Sequence, residues 1–174
     1  MYPGVIQQCL ISSPSDVPPG DLQIIHRSIT WWNGWFGSLF GTVITPISWG
    51  AHAAAEFGEP PQEALNRQIV DKCDICIAIF RARLGTRTKN AESGTAEEIE
   101  RLSRAGKYVA VLRCQRKVDL QDIDLNQLAD LDRYLLGLKD KALIINYKND
   151  AELAQKVQNI LNISVDHMQG VKGA

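Results

Sequence analysis

The segment from residue 74 to residue 80 is almost wholly apolar and rich in isoleucine. A run of this length predicts a strand, and the lack of alternation with polar residues predicts that both faces of that strand are covered. Strands covered on both faces are typical of parallel sheets that carry helices on each side. This segment therefore limits the fold more than any other part of the chain.

Further apolar runs alternate with segments of helical periodicity. Strands are predicted at residues 5–11, 42–49, 74–80, 108–113 and 142–146. Helices are predicted at residues 21–36, 60–72, 94–105, 125–138 and 150–161. Five strands interleaved with helices predict a three-layer α/β domain with a five-stranded parallel sheet. Right-handed crossovers favour the flavodoxin-like strand order 2-1-3-4-5, and Pro46 favours an edge position for the second strand.

Length and composition limit the classes of function. The chain has 174 residues, which fits one domain over residues 1–162 followed by a polar tail or linker over residues 163–174. A formal net charge of -1 argues against a nucleic-acid partner. The sequence has no apolar run of about 18 residues and no signal-peptide pattern, so we expect a cytoplasmic protein without a membrane partner.

The cysteines suggest packing rather than chemistry. Cys73 and Cys76 have a spacing found in redox and metal motifs, but the chain contains no second pair of this kind. Three of the four cysteines lie in or beside predicted buried strands, where a free thiol behaves as a small apolar group. We therefore expect reduced, structural cysteines and no metal site.

Three predicted loops leave the carboxyl ends of strands, where ligands bind in open parallel sheets. These loops lie at residues 12–16, 49–59 and 81–94. The third contains four basic residues and ends in Ser93-Gly94-Thr95 at the start of a helix. Unpaired N–H groups and the helix dipole favour an anion there, such as phosphate or pyrophosphate. The alternative is that Ser93 or Thr95 only caps the helix.

The same helix carries three glutamates, which helical spacing separates. Its predicted buried stripe contains Ala96, Ile99, Leu102 and Ala105. Glu98 lies roughly 70° from the centre of that stripe, Glu97 roughly 170° and Glu100 roughly 130°. Glu98 is therefore predicted to turn toward the sheet and its crevice, and Glu97 to face solvent. The alternative is that all three carboxylates merely favour the helix dipole.

At this point the chain resembles bacterial TIR-like domains and the related nucleoside 2-deoxyribosyltransferase and deoxynucleotide N-hydrolase group. The matching patterns are Ile-Ser-Ser-Pro-Ser-Asp at residues 11–16 and Ser-Gly-Thr-x-x-Glu-Ile at residues 93–99, followed by Gly106-Lys107. Both groups have a flavodoxin-like fold and use one glutamate on the helix after the third strand. The resemblance spans roughly residues 5–160 and implies that Glu98 is the catalytic residue.

The two groups differ at single positions. Many catalytic TIR domains carry tryptophan four residues before the glutamate, where this chain has Gly94. The deoxyribosyltransferase group commonly has glycine there, but it also has glycine where this chain has Glu100. The fold and the glutamate therefore transfer to this chain, whereas the substrate stays open.

The resemblance implies cleavage of an N-glycosidic bond, with NAD+ as substrate rather than cofactor. Glu98 would stabilise the cationic sugar or attack it. The implied substrate-binding residues are Ser12, Ser13 and Asp16 near the ribose, Arg83, Gly85, Ser93, Gly94 and Thr95 near phosphate, and Trp49 for stacking on a base. For Trp49, partial burial at a strand end is the alternative role.

The expected function is an NAD+ hydrolase, acting as the effector of a bacterial antiphage defence or signalling system. A nucleoside 2-deoxyribosyltransferase or nucleotide N-glycosidase is one alternative, and a non-catalytic interaction or sensing module is another. The resemblance also implies self-association, and a sensor domain or second-messenger-binding partner. The aromatic residues Trp31, Trp32, Trp35, Phe36 and Phe40 would either pack the first helix onto the sheet or form the self-association surface.

Overall fold

The computed structural model describes residues 4–48 and 61–172. Its strands are β1 (Val5–Ser12), β2 (Thr42–Ile47), β3 (Ile75–Phe80), β4 (Tyr108–Cys114) and β5 (Ile144–Tyr147). Its helices are α1 (Pro19–Phe40), α2 (Pro61–Gln68), α3 (Gly94–Arg104), α4 (Leu125–Leu138) and α5 (Asp150–Lys172). Short 3-10 turns at Val70–Lys72 and Leu120–Asp122 precede β3 and α4.

All strand pairs in the sheet are parallel, and the strand order is β2-β1-β3-β4-β5. The predicted three-layer flavodoxin-like architecture is therefore confirmed. β3 occupies the centre and is buried along its whole length, as its apolar sequence predicts. β2 lies at an edge of the sheet, in agreement with the prediction from Pro46. Proline has no backbone N–H to donate, and an edge strand tolerates this because it has a neighbouring strand on one side only.

Two hydrophobic layers cover the sheet, and β3 contributes to both because successive side chains point to opposite faces. Ile75, Ile77 and Ile79 pack on the side of α1 and α5. Cys76, Ala78 and Phe80 pack on the side of α3 and α4. All four cysteines are free and buried, in agreement with the prediction of structural thiols.

Two helices are longer than the sequence pattern predicts. α1 starts at Pro19 and ends at Phe40, where it is capped by Gly41, whose φ of 60° suits a glycine at a helix end. α5 continues to Lys172 rather than ending at residue 161. The predicted polar tail is wrong at least through its first part, because Ser164 and Val165 are fully buried against the domain. No helix in the described part of the chain is long and apolar enough to cross a membrane.

The aromatic cluster on α1 divides between core and surface. Trp32 is fully buried, stacks on Phe40 and donates from Nε1 to Oδ1 of Asn162 at 2.7 Å. Trp31 and Trp35 instead remain 44% and 69% exposed. Packing of α1 onto the sheet therefore explains Trp32 and Phe40 but does not explain the two exposed tryptophans, Trp31 and Trp35.

Candidate functional site

A cleft of about 870 Å³ opens at the carboxyl ends of β1 and β3, beside the N-terminus of α3. This is the edge at which parallel sheets bind ligands. Its lining residues include Ile11, Ser13, Pro14, Ser15, Leu22, Glu63, Arg83, Gly85, Thr86, Arg87, Thr88, Lys89, Asn90, Gly94, Thr95 and Glu97. The floor is partly apolar, whereas the loop after β3 supplies polar and cationic groups.

Five of the predicted binding residues meet at this cleft. They are Ser13, Arg83, Gly85, Gly94 and Thr95. They come from the β1 loop, the β3 loop and the first turn of α3, which converge because all three begin at the same sheet edge. The predicted stacking residue Trp49 lies outside the described residues, so its role stays a prediction.

Glu98 turns toward the sheet, as its helical position predicts. Only 1% of it is exposed, and its Oε2 accepts a short hydrogen bond from Oγ of Ser12 at the end of β1. Neither residue lines the cleft directly. Gly94, one helical turn earlier, does line it. Cα–Cβ bonds in a helix tilt toward its N-terminus, which is the end of α3 that borders the cleft.

Glu97 corrects the helical-wheel prediction. It was expected to face solvent, but it is only 7% exposed and lines the cleft. Its Oε1 accepts from Nδ2 of Asn66 at 2.7 Å, and its Oε2 accepts from Oγ1 of Thr88 at 2.5 Å. Helical spacing predicts only which side chains of α3 face the sheet. It does not predict that α2 and the loop after β3 cover the opposite side of the helix and bury Glu97.

The Glu97 carboxylate is held in its charged form. Burial raises its pKa, but hydrogen bonds from Thr88, Asn90 and Asn66 and the positive charge of Arg101 together lower it below the usual value. The net direction is downward, so this group is ionised at neutral pH. Because its two oxygens accept from α2 and from the β3 loop, this carboxylate connects three elements of the structure.

Two other predicted residues lie away from the cleft. Ser93 is fully buried, and its Oγ accepts from N of Ala96 at 3.1 Å, so it caps α3. The side chain therefore has the capping role that the sequence offered as an alternative, and phosphate binding by the backbone of residues 93–95 stays a prediction. Asp16 lines a separate hollow of about 340 Å³ together with Arg81 and accepts from N of Ala82 at 2.8 Å. It joins the β1 and β3 loops instead of lining the predicted ribose side.

The thiols near the site are neutral. Burial raises the pKa of Cys73 to about 12, and the charges of Asp74 and Glu98 act in the same direction. Burial also raises the pKa of Cys76 well above its usual value, with the Glu98 charge as the next cause. Neutral thiols packed beneath the glutamate supply no nucleophile.

Gly85 is expected to be intolerant of a side chain. Its φ is 107°, and an added Cβ would lie 3.3 Å from Cβ of Ser93. Gly85→Ala should lower the free energy of unfolding by about 1–2 kcal/mol because of backbone strain, measured by urea denaturation. Gly34→Ala is the control, since nothing lies within 4 Å of that helical position, and it should stabilise by about 0.5–1 kcal/mol. Equal effects of both changes would show that the Gly85 conformation is not required.

Comparison with known proteins gives one family and distant structural similarities. The model of the family described as "Domain of unknown function (DUF4062)" matches residues 35–162, which include Glu97 and Glu98 but not Ser12. No curated protein sequence matches the chain. Rubredoxin oxygen:oxidoreductase from the anaerobe Desulfovibrio gigas is similar in structure, with a TM-score of 0.45 and 8% identity. That similarity covers 99% of this chain, which spans only 38% of the oxidoreductase.

A second solved structure has a comparable degree of similarity. It is RosB with a bound 8-demethyl-8-formylriboflavin-5'-phosphate intermediate, with a TM-score of 0.43 and 10% identity. The similarity covers 97% of this chain and 81% of RosB.

Proposed function

We propose that this chain, which belongs to the family of domains of unknown function described as DUF4062, is a nucleotide N-glycosidase. Among nucleotides, NAD+ is the substrate that we consider first. The observation that carries this proposal is the position of Glu98. This buried carboxylate bonds to Ser12 at the end of β1, one helical turn below a glycine that lines the cleft. Gly94 has no side chain to block a ribose from approaching it.

The proposed reaction needs one anion beside a developing cation. The bond between the ribose carbon and the nicotinamide nitrogen breaks, and its electron pair leaves with nicotinamide as a neutral molecule. The sugar is left cationic at the anomeric carbon, where the Glu98 carboxylate stabilises it or forms a transient ester. Water then adds to that carbon and loses a proton, giving ADP-ribose.

The cationic side of the cleft supports a substrate that carries phosphate. Arg83 lines this side, and the N-terminus of α3 contributes backbone N–H groups at Gly94 and Thr95. Arginine and helix N-termini both bind phosphate oxygens well. Fixing the phosphate end would place the glycosidic carbon at a constant depth in the cleft.

A non-catalytic sensing module is the second candidate, because Glu98 is 1% exposed and already hydrogen-bonded. In this case the cleft binds a nucleotide without cleaving it.

A deoxyribosyltransferase or deoxynucleotide N-hydrolase would use the same glutamate. Gly94 favours this alternative over NAD+ hydrolysis, because many catalytic TIR domains have tryptophan at that position. In a cell, we propose a cytoplasmic effector of a defence or signalling system, controlled by a sensor domain or second-messenger-binding partner.

Product analysis separates these functions. The purified chain is incubated with NAD+ and, separately, with deoxynucleoside monophosphates over a range of protein concentrations, and products are identified by mass spectrometry. Nicotinamide with ADP-ribose or its cyclic form supports the NAD+ hydrolase, and free base from the monophosphates supports the alternative enzyme. Nucleotide binding without any product supports the sensing module and contradicts both enzymes.

We also propose that the domain self-associates through the exposed residues of the aromatic cluster, Trp31 and Trp35, with Leu39 beside them on α1. No charged residue occurs between Arg27 and the end of β2 at Ile47, so a second copy could cover this face without burying a charge.

Trp35→Lys should shift the chain to monomer in sedimentation equilibrium. Gln23→Lys, an exposed change on the same helix, should leave self-association unchanged. A monomeric native chain, or an unchanged Trp35→Lys variant, would contradict this surface.

A further inference from the structure

The turn at residues 88–91 is attached to the first turn of α3 through one carboxylate. Glu97 accepts from Oγ1 of Thr88 at 2.5 Å and from Nδ2 of Asn90 at 3.3 Å. The turn also closes on itself, because N of Ala91 donates to Oγ1 of Thr88 at 3.0 Å. On the other side, Asn66 of α2 donates to the same carboxylate at 2.7 Å. Glu97 therefore fixes the turn relative to two helices.

This turn presents cations to the cleft. Arg87 and Lys89 flank Thr88, and both line the cleft together with Arg83. Among the side chains that the structure describes, the ion pairs use other cations, namely Arg101, Arg104, Lys107, Arg113, Arg116 and Arg133. Three cations that face one cleft and take part in none of those pairs can act on a bound anion.

We propose that Arg83, Arg87 and Lys89 form a diphosphate clamp, and that Glu97 is the positioning residue that holds it in place. The ligand class is a nucleoside diphosphate or a dinucleotide joined through diphosphate, rather than a nucleoside monophosphate. This inference rests on the proposed nucleotide site and narrows its substrate class. A second phosphate adds charge and acceptor oxygens, which a clamp built from two arginines and a lysine can bind.

The charge of Glu97 gives the inference a distinctive test. A negative group beside bound phosphate repels it, so a purely electrostatic role predicts tighter anion binding when that charge is removed. A positioning role predicts the opposite, because a glutamine keeps only one of the two acceptor oxygens and so cannot hold both Thr88 and the asparagines, which loosens the turn beside Arg87 and Lys89. The two roles therefore differ in the sign of the change.

The test is isothermal titration calorimetry of the full chain with ADP and with AMP at constant ionic strength. The native chain should bind ADP about tenfold or more tightly than AMP, which corresponds to about 1.4 kcal/mol. Glu97→Gln should weaken ADP binding by about tenfold while changing AMP binding little. The double variant Arg87→Ala, Lys89→Ala should do the same. Glu100→Gln is the matched control, since Glu100 is exposed on the same helix and pairs with Arg104, and it should bind both ligands as the native chain does.

Thr88→Val provides a second variant that releases the turn without altering any charge, and it should also reduce the preference for ADP. Thermal unfolding confirms that each variant is folded. Unchanged or tighter ADP binding by folded Glu97→Gln and Thr88→Val would overturn the inference. NAD+ turnover measured on the same native sample separates the two proposals. ADP preference without turnover would refute only the proposed catalysis, whereas turnover without ADP preference would refute only the clamp.

Discussion

Glu98→Gln is expected to lower the turnover of NAD+ by roughly 10²- to 10³-fold, the range found when one group that stabilises transition-state charge is removed. The amide has nearly the same shape as the carboxylate and can still accept the hydrogen bond from Ser12. The fold should therefore survive, and the change should appear in kcat rather than in KM. Steady-state release of nicotinamide measures both parameters, and circular dichroism checks the fold.

Two neighbouring glutamates serve as comparisons. Glu100→Gln alters an exposed residue of the same helix and should leave kcat unchanged. Glu97→Gln should act mainly through substrate binding, because this carboxylate is already bonded to Thr88 and Asn66. If Glu97→Gln abolished turnover while Glu98→Gln retained it, the catalytic role would belong to the cleft-lining carboxylate instead.

Asp21→Ala should produce the largest loss of stability, about 2–3 kcal/mol, because it leaves the buried Tyr147 hydroxyl without its acceptor and removes one of the two carboxylates that pair with Arg116. Asp21 lies in the first turn of α1 and is buried. Its Oδ1 pairs with Nη2 of Arg116 at 2.9 Å, and its Oδ2 accepts from the Tyr147 hydroxyl at 2.6 Å. The network thereby connects α1 with the ends of β4 and β5. Urea denaturation followed by tryptophan fluorescence would measure the loss.

Asp130→Ala provides the matched control. Asp130 pairs with Arg133 on α4 at 3.1 Å, but both side chains are largely open to solvent. Such pairs contribute between zero and about 1 kcal/mol. Asp21→Asn keeps an acceptor for Tyr147 and should lie between the two. Similar small losses for Asp21→Ala and Asp130→Ala would show that the buried network adds nothing beyond a surface pair.

The fold was predictable because its strongest determinants are local. The apolar run of β3 specifies a strand covered on both faces, and alternation with helices specifies a parallel sheet. α4 was predicted with its observed bounds, Leu125–Leu138. The end of α5 was not, since the segment after residue 161 is polar on average. It is helical because single residues such as Val165 reach the core, and an average over the segment conceals them.

The site was only partly predictable because two of its features depend on loops. Helical spacing placed Glu98 correctly, since the sheet defines that side of α3. The burial of Glu97 depends on Thr88 and Asn66, whose approach to α3 leaves no periodic signal in the sequence. Asp16 lies in the correct loop but points into a different hollow, because loop direction is not encoded in residue type. The pattern Thr-x-Asn at residues 88–90, two polar hydrogen-bonding residues flanking a cation, was the available clue to the anchored turn.

The contact between Ser12 and Glu98 joins residues that are 86 positions apart in the chain. One of them ends β1, and the other belongs to α3, which follows β3 in the chain. A ribosome product that stops early, or a proteolytic fragment that begins after β1, would therefore lack half of this pair. Only a chain that contains both β1 and α3 can therefore form this contact, so the environment of Glu98 is complete only when the domain is whole.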